Sequence, residues 1–120
     1  GEVDFFGDMI LIRDAIQNLL SNAIKYRNEN IPLRALLTVE EYTNHIEISL
    51  SDNGIGVPNS HRKKIFERFV RVEGPNRGLS GGHGLGLSFV AETMHAHKGS
   101  VRCIEGFNGG ANFILRFPKK

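Results

Sequence analysis

The sequence predicts an α+β fold, a two-layer sandwich in which helices cover one face of a mixed, mostly antiparallel sheet. Two observations favour this class. Segments 9–27 and 85–97 have the period of helices, with a shorter helix expected at 59–68, and four other segments have strand-like composition. The strand segments come in pairs with short connections, as hairpins do. Because 120 residues is a usual domain size, we expect residues 1–120 to form a single domain excised from a longer chain.

The first helix is expected from Met9 to Arg27, because no glycine or proline interrupts this segment and Asp8 can cap its start. Its predicted buried face consists of Met9, Ile12, Ile16, Leu19, Leu20 and Ala23. The opposite stripe carries Asn18, Asn22 and Lys25. Taken alone, such a stripe is typical of a solvated helix face, although asparagine is a mediocre helix former.

Two hairpins are expected, one from strands Arg34–Tyr42 and His45–Asp52, the other from strands Ser100–Glu105 and Ala111–Phe117. Along the strand His45–Asp52 apolar residues alternate, and Asp52 occupies the next position on the same face. A carboxylate therefore ends on the core side of the sheet, where it needs a polar partner.

Glycines are concentrated in the second half of the chain, where eight of the 14 lie between Gly54 and Gly86. One group leaves a strand, one enters the second long helix, and a third precedes the last strand. A helix N-terminus with free N–H groups favours an anion. The spacing matches neither the lysine-containing phosphate loop nor the dinucleotide fingerprint, and each group alone is typical of a turn.

Composition excludes several classes of protein. The 15 basic and 13 acidic residues leave a net charge of +2, too small for a nucleic-acid binder. No apolar run approaches the roughly 18 to 20 residues of a membrane span, and no segment resembles a signal peptide. The single cysteine, Cys103, is expected to be a small core residue. We therefore expect neither a nucleic-acid partner nor direct membrane contact.

Five motifs follow one another along the chain: Asn18-x-x-x-Asn22-Ala-Ile-Lys25-Tyr26, Asp52-x-Gly54-x-Gly56, Ile65-Phe66-Glu67-Arg68-Phe69, Gly82-x-Gly84-Leu85-Gly86-Leu87 and Gly109-Gly110. This succession resembles the catalytic ATP-binding domain of sensor histidine kinases. That domain has the Bergerat-type nucleotide fold, shared with gyrase, the Hsp90 chaperones and the mismatch-repair MutL proteins. The resemblance covers essentially the whole chain.

The resemblance implies roles for the polar residues at the phosphate end of an ATP site. Asn22 would be a ligand of Mg²⁺, whose hard character suits an amide oxygen. Asn18 stands where gyrase-like ATPases have a water-activating Glu; an amide cannot take that proton, so ATP hydrolysis should be poor. Lys25 and, from the loop, Arg71 or Arg77 would neutralise phosphate charge.

At the base end, Asp52 would accept a hydrogen bond from the adenine amino group, and Gly54 and Gly56 would let the backbone approach the base. Tyr26 would lie against the nucleotide, and residues 70–84 would form an ATP lid. The further nucleotide contacts that the resemblance implies are Ile55, Phe66, Gly82, His83, Gly84, Leu85, Gly86 and Leu87. His83 could bind a phosphate or face solvent. Ala111 stands where many relatives have Ser or Thr, so no hydroxyl is available there.

No phosphoacceptor helix of the His-Glu-x-x-x-Pro kind is present. The resemblance therefore implies transfer of the γ-phosphoryl group of Mg-ATP to a histidine on a separate dimerisation domain, with a response regulator downstream. We expect a monomeric, cytoplasmic domain of a parent protein that is commonly anchored in the bacterial inner membrane. The alternative is a nucleotide-binding regulatory module without kinase activity. Asn18 argues against a third reading, a gyrase-like ATPase.

Overall fold

The computed structural model describes residues 9–67 and 84–119 and confirms the α+β class. Its helices and strands are α1 (Met9–Lys25), β1 (Ala35–Glu41), β2 (His45–Asp52), α2 (Gly84–Ala96), β3 (Ser100–Glu105) and β4 (Ala111–Pro118). Single turns of 3-10 helix lie at Asn59–His61, Lys64–Phe66 and Phe107–Gly109. Within the described ranges, no helix has both the length and the apolar character needed to cross a bilayer.

The four strands form one sheet in the order β1-β2-β4-β3, and every pairing between them is antiparallel. The two hairpins are therefore joined through their second strands, β2 and β4. At one end of the sheet the β1–β2 register closes on the pair Ala35 and Asp52. In the β3–β4 hairpin, the terminal pair is Glu105 and Ala111. The open end of the β1–β2 hairpin and the turn end of the β3–β4 hairpin therefore lie together around Asp52.

Both helices pack on one face of this sheet, and the core lies between the two layers. The buried apolar residues of that core are Ile12, Ala15, Leu19, Leu50, Val90, Met94, Cys103, Ala111, Phe113, Leu115 and Phe117. The predicted face of α1 is wrong at two positions: Met9 is 66% exposed and Leu20 is 39% exposed, whereas Ala15 is fully buried. The residues of α1 that are buried are Ile12, Ala15, Leu19 and Ala23, so the buried face is centred away from Met9 and Leu20.

Element boundaries differ slightly from those expected. Helix α1 ends at Lys25, because the Arg27 N–H bonds to the Ile24 carbonyl at 3.3 Å, a tighter turn than an α-helix makes. The helix expected at 59–68 is two separate 3-10 turns, and α2 begins one residue earlier than expected, at Gly84. The Asp8 cap and nearly all of the expected lid lie outside the described residues.

Candidate nucleotide-binding site

Asp52, the last residue of β2, is buried at 4% exposure, and the prediction that its carboxylate has polar partners is confirmed. Its Oδ1 accepts hydrogen bonds from the backbone N–H groups of Gly54 at 2.8 Å and Ala111 at 3.2 Å. Among the described residues no donor reaches Oδ2. One carboxylate oxygen is thus committed to holding the side chain, and the other is available as an acceptor.

The glycines around Asp52 allow three chain segments to meet. A Cβ at Gly54 would lie 2.5 Å from the Tyr26 carbonyl oxygen, and a Cβ at Gly110 would overlap the Asp52 carbonyl oxygen. Gly56 lies against the carbonyl of Gly109. The expected reason for Gly54 and Gly56 was approach to a base; the structure shows that approach to other backbone atoms already requires them.

The C-terminal end of α1 is tied directly to the glycine turn that follows Asp52. The Ile55 N–H donates to the Tyr26 carbonyl at 3.0 Å. The side chain of Ile55 is itself 66% exposed, and Tyr26 is half-buried. This single bond joins the turn after Asp52 to the helix that carries the asparagine stripe.

That stripe lines a cleft of about 440 Å³ between α1 and α2. The lining residues are Asn18, Ser21, Asn22, Ile24, Lys25, Gly86 and Leu87. Five of them were predicted from the sequence; Ser21 and Ile24 were missed. Helical spacing could have found Ser21, which lies three residues after Asn18 and four before Lys25. The stripe is therefore part of a concave surface that two helices share.

Lys25 has the most unusual environment in the cleft. Its Nζ is buried and has no hydrogen-bond partner among the described residues, and it lies 5.2 Å from the centre of the Tyr26 ring. A cation–π contact offsets only part of the free-energy cost of burying an ammonium group. An anion bound in the cleft would supply the missing partner.

The carboxamides of Asn18 and Asn22 are also free of hydrogen bonds within the described part of the chain. At Gly86, a Cβ would lie 3.6 Å from Asn18 Oδ1, so the absence of a side chain there leaves space in front of that oxygen. Residues 9–67 and 84–119 contain no cluster of three acidic, histidine or cysteine side chains that could hold a metal ion by itself.

The other predicted contacts are distributed as follows. Phe66 packs edge-on against Phe113, with ring centres 6.0 Å apart, and is not among the cleft's lining residues. Gly84 begins α2. The remaining predicted contacts lie outside the residues that the structure describes; they are Arg71, Arg77, Gly82, His83 and the side chain of Leu85.

Residues 7–120 match the family model described as histidine kinase-, DNA gyrase B- and HSP90-like ATPase. Because the match covers nearly the whole chain, the chain belongs to this family. Sensor protein RprX of Bacteroides fragilis is 35% identical over 113 residues, which are 94% of this chain and 22% of the relative. Sensor histidine kinase WalK of Bacillus subtilis is 34% identical over 115 residues, 94% of this chain and 19% of the relative. The chain thus spans a small part of both relatives.

Solved structures confirm the fold. The mycobacterial sensor histidine kinase MprB has a TM-score of 0.77 at 27% identity, over 93% of this chain and 72% of that chain. The ATP binding domain of PrrB from Mycobacterium tuberculosis has a TM-score of 0.73 at 30% identity, over 95% of this chain and 71% of that chain. Full-length ShkA in complex with AMPPNP has a TM-score of 0.74 at 29% identity, over 90% of this chain and 21% of that chain.

Proposed function

We propose that this chain binds Mg-ATP and transfers its γ-phosphoryl group to a histidine on a separate dimerisation domain of a sensor kinase. The observation that carries the proposal is the buried, unpartnered ammonium of Lys25 in a cleft lined by two free carboxamides. The relatives that are named sensor kinases, and the ShkA complex with an ATP analogue, support the same function.

The base end of the proposed site is Asp52. Its free Oδ2 would accept a hydrogen bond from the adenine amino group, while Oδ1 stays bonded to Gly54 and Ala111. A hydrogen bond to a charged acceptor contributes about 1.5–3 kcal/mol. Because the backbone N–H of Ala111 holds the carboxylate, the missing hydroxyl at this position does not leave Asp52 unsupported.

The phosphate end of the proposed site is the cleft. Lys25 would pair with phosphate oxygens, and the Asn22 amide oxygen would be the protein ligand of Mg²⁺. The metal ion would neutralise charge on the phosphates and orient them. Asn18 would lie beside the phosphates, and its amide cannot accept a proton from water, so the γ-phosphoryl group would be kept for a protein acceptor.

The proposed reaction depends on positioning and charge stabilisation by this chain, with the nucleophile supplied by its partner. We propose that the histidine-bearing dimerisation domain belongs to the same parent kinase and that a response regulator receives the phosphoryl group next. A cytoplasmic location beside a membrane-anchored sensor is consistent with that arrangement. Residues 70–84 would close over the nucleotide as a lid.

The test is incubation of γ-labelled ATP with this chain and the dimerisation domain of its parent kinase. We expect acid-labile label on the dimerisation domain, and in Asp52→Asn a much weaker label together with an ATP affinity at least about 10-fold lower. The matched control is Glu29→Gln, which neutralises a carboxylate of 82% exposure and should leave both signals unchanged.

ATP binding without labelled acceptor would support the alternative, a regulatory nucleotide-binding module. Unchanged ATP affinity in Asp52→Asn, measured by calorimetry, would show that the adenine assignment is wrong.

A further inference from the structure

Asn53 lies next to Asp52, is not among the residues that line the cleft, and has no part in the roles proposed above. It is 4% exposed. Its backbone N–H donates to the Arg34 carbonyl at 3.1 Å, its Oδ1 accepts from the Arg34 N–H at 2.8 Å, and its Nδ2 donates to the Pro32 carbonyl at 3.0 Å. Three hydrogen bonds therefore hold one residue against the segment that enters β1.

These bonds end the β1–β2 ladder in a particular way. The last backbone pair is Ala35 with Asp52, and the next rung would exchange two backbone bonds between Arg34 and Asn53. Only one of them forms; the Arg34 N–H bonds to the Asn53 side chain instead of its carbonyl. Because the carboxamide replaces a backbone acceptor, the main chain can leave the strand immediately after Asp52 without an unpaired buried N–H.

The departure from the strand determines where the Asp52 carboxylate is held. It brings the Gly54 N–H to 2.8 Å from Asp52 Oδ1 and the Ile55 N–H to 3.0 Å from the Tyr26 carbonyl. Had the chain continued as a strand, the Gly54 N–H would have pointed sideways in the plane of the sheet and not at the Asp52 side chain. The second donor to Oδ1, the N–H of Ala111, comes from β4 and does not depend on this turn.

We propose that Asn53 is a positioning residue for adenine recognition: by ending the ladder with its side chain, it directs Oδ2 of Asp52 toward the base. This inference rests on the proposed function of Asp52. Asn53 acts through Asp52 and touches no nucleotide. Its contribution therefore concerns the choice of base, whereas the phosphate end of the site is held by α1.

The experiment compares dissociation constants for Mg-ATP and Mg-GTP, because guanine has a carbonyl where adenine has its amino group. Asn53→Ala should reduce the preference for ATP over GTP about 10-fold, the equivalent of one hydrogen bond to a charged group. Asn53→Asp keeps an acceptor for the Arg34 N–H but loses the donor to Pro32, so its preference should fall less. General loss of structure would weaken the binding of both nucleotides equally and leave the ratio of their dissociation constants unchanged.

Two further variants complete the test. In an Asp52→Asn background, Asn53→Ala should cause no additional loss of preference, since the residue it acts through is already changed. The matched control is Asn28→Ala, which removes an exposed Oδ1 acceptor for the Asn30 N–H in the same α1–β1 connection and should leave the preference as in the wild type.

Wild-type preference in both Asn53 variants, together with its loss in Asp52→Asn, overturns the inference and leaves the proposed function standing. Equal weakening of ATP and GTP also overturns it. Wild-type preference in Asp52→Asn overturns the adenine assignment and the inference together. If Asn53→Ala does not fold, Asn53→Asp decides between the same outcomes, with the Gly54 amide proton shift as an independent measure of its bond to Asp52.

Discussion

At the Asp52 end of the proposed site, backbone hydrogen bonds hold the key side chain, whereas the polar side chains of the cleft between α1 and α2 have no such bonds within the described residues. Asp52 receives two backbone hydrogen bonds, and the glycines beside it are in backbone contact. In the cleft, Lys25 Nζ is buried and has no hydrogen-bond partner in the part of the chain that the structure describes.

The contrast shows two ways of preparing a binding site. The Asp52 end is held in place before any ligand arrives, so its specificity does not require ordering of side chains on binding. The burial cost of the Lys25 ammonium in the cleft would be recovered on binding of the proposed anion. We expect substitutions at the first end to affect folding as well as affinity, and substitutions in the cleft to affect mainly function.

The largest expected effect tests the closed packing around Asp52. Gly110→Ala should lower the free energy of unfolding by about 3 kcal/mol, because its Cβ would overlap the Asp52 carbonyl although its φ of −73° suits alanine. Gly109→Ala is the matched control. Gly109 has a φ of +83° but no described atom within 4 Å of a Cβ, so only the left-handed conformation is strained, at about 1 kcal/mol. Denaturant titration measures both, and equal losses would contradict close packing as the cause.

The next effect tests the cleft. Asn22→Ala should reduce phosphotransfer at least about 100-fold and abolish the Mg²⁺ dependence of ATP affinity, while the free energy of unfolding stays the same or rises. Gln17→Ala makes a similar change on an exposed position of α1 and should alter neither quantity. Full phosphotransfer in Asn22→Ala would exclude the proposed metal ligand.

A smaller effect, with opposite signs for stability and function, is expected at Lys25. Lys25→Met removes a buried ammonium that has no hydrogen-bond partner in 9–67 or 84–119, so the unliganded protein should gain about 1 kcal/mol in free energy of unfolding. The same change should weaken ATP binding about 10-fold, because a phosphate loses its cation. Thermal unfolding measures the change in stability, and calorimetry measures the change in ATP affinity. A loss of stability would mean that the ammonium already has a partner in the free protein.

The smallest effect concerns Cys103, which lies on the core side of β3. Burial raises the pKa of its thiol to about 11, with Arg62 lowering that pKa and Asp52 raising it. Since the folded pKa lies above the unfolded value, this thiol's contribution to stability is intact below pH 9.0 and is lost as pH rises toward about 11. Alkylation at pH 8 should therefore be slow in the folded protein and faster in Asp52→Asn. A thiol that ionises near pH 9.0 in the folded chain would contradict this.

Much of the candidate site could be predicted because its residues carry local signals. Two asparagines in mid-helix and a carboxylate in phase with apolar residues are each unfavourable without a partner, and such residues stand out in a sequence. The only signal at Ser21 is its helical spacing from Asn18 and Lys25, and Ile24 carries none, because an apolar residue on a helix is first assigned to the core. The sequence likewise gave no indication of the role of Asn53, since an Asn-Gly pair is typical of a turn.

The spacing of apolar residues was sufficient to predict the two long helices, the two hairpins and the side of the sheet on which Asp52 lies, because these depend on local periodicity. Tertiary structure alone decides that β2 and β4 are neighbours, that Ala111 supports Asp52, and that the Lys25 ammonium is buried. Each of these depends on contacts between residues far apart in the chain. The glycines show the difference most clearly: their number suggested free backbone, but the folded chain requires Gly54 and Gly110 because other backbone atoms occupy the space of a side chain.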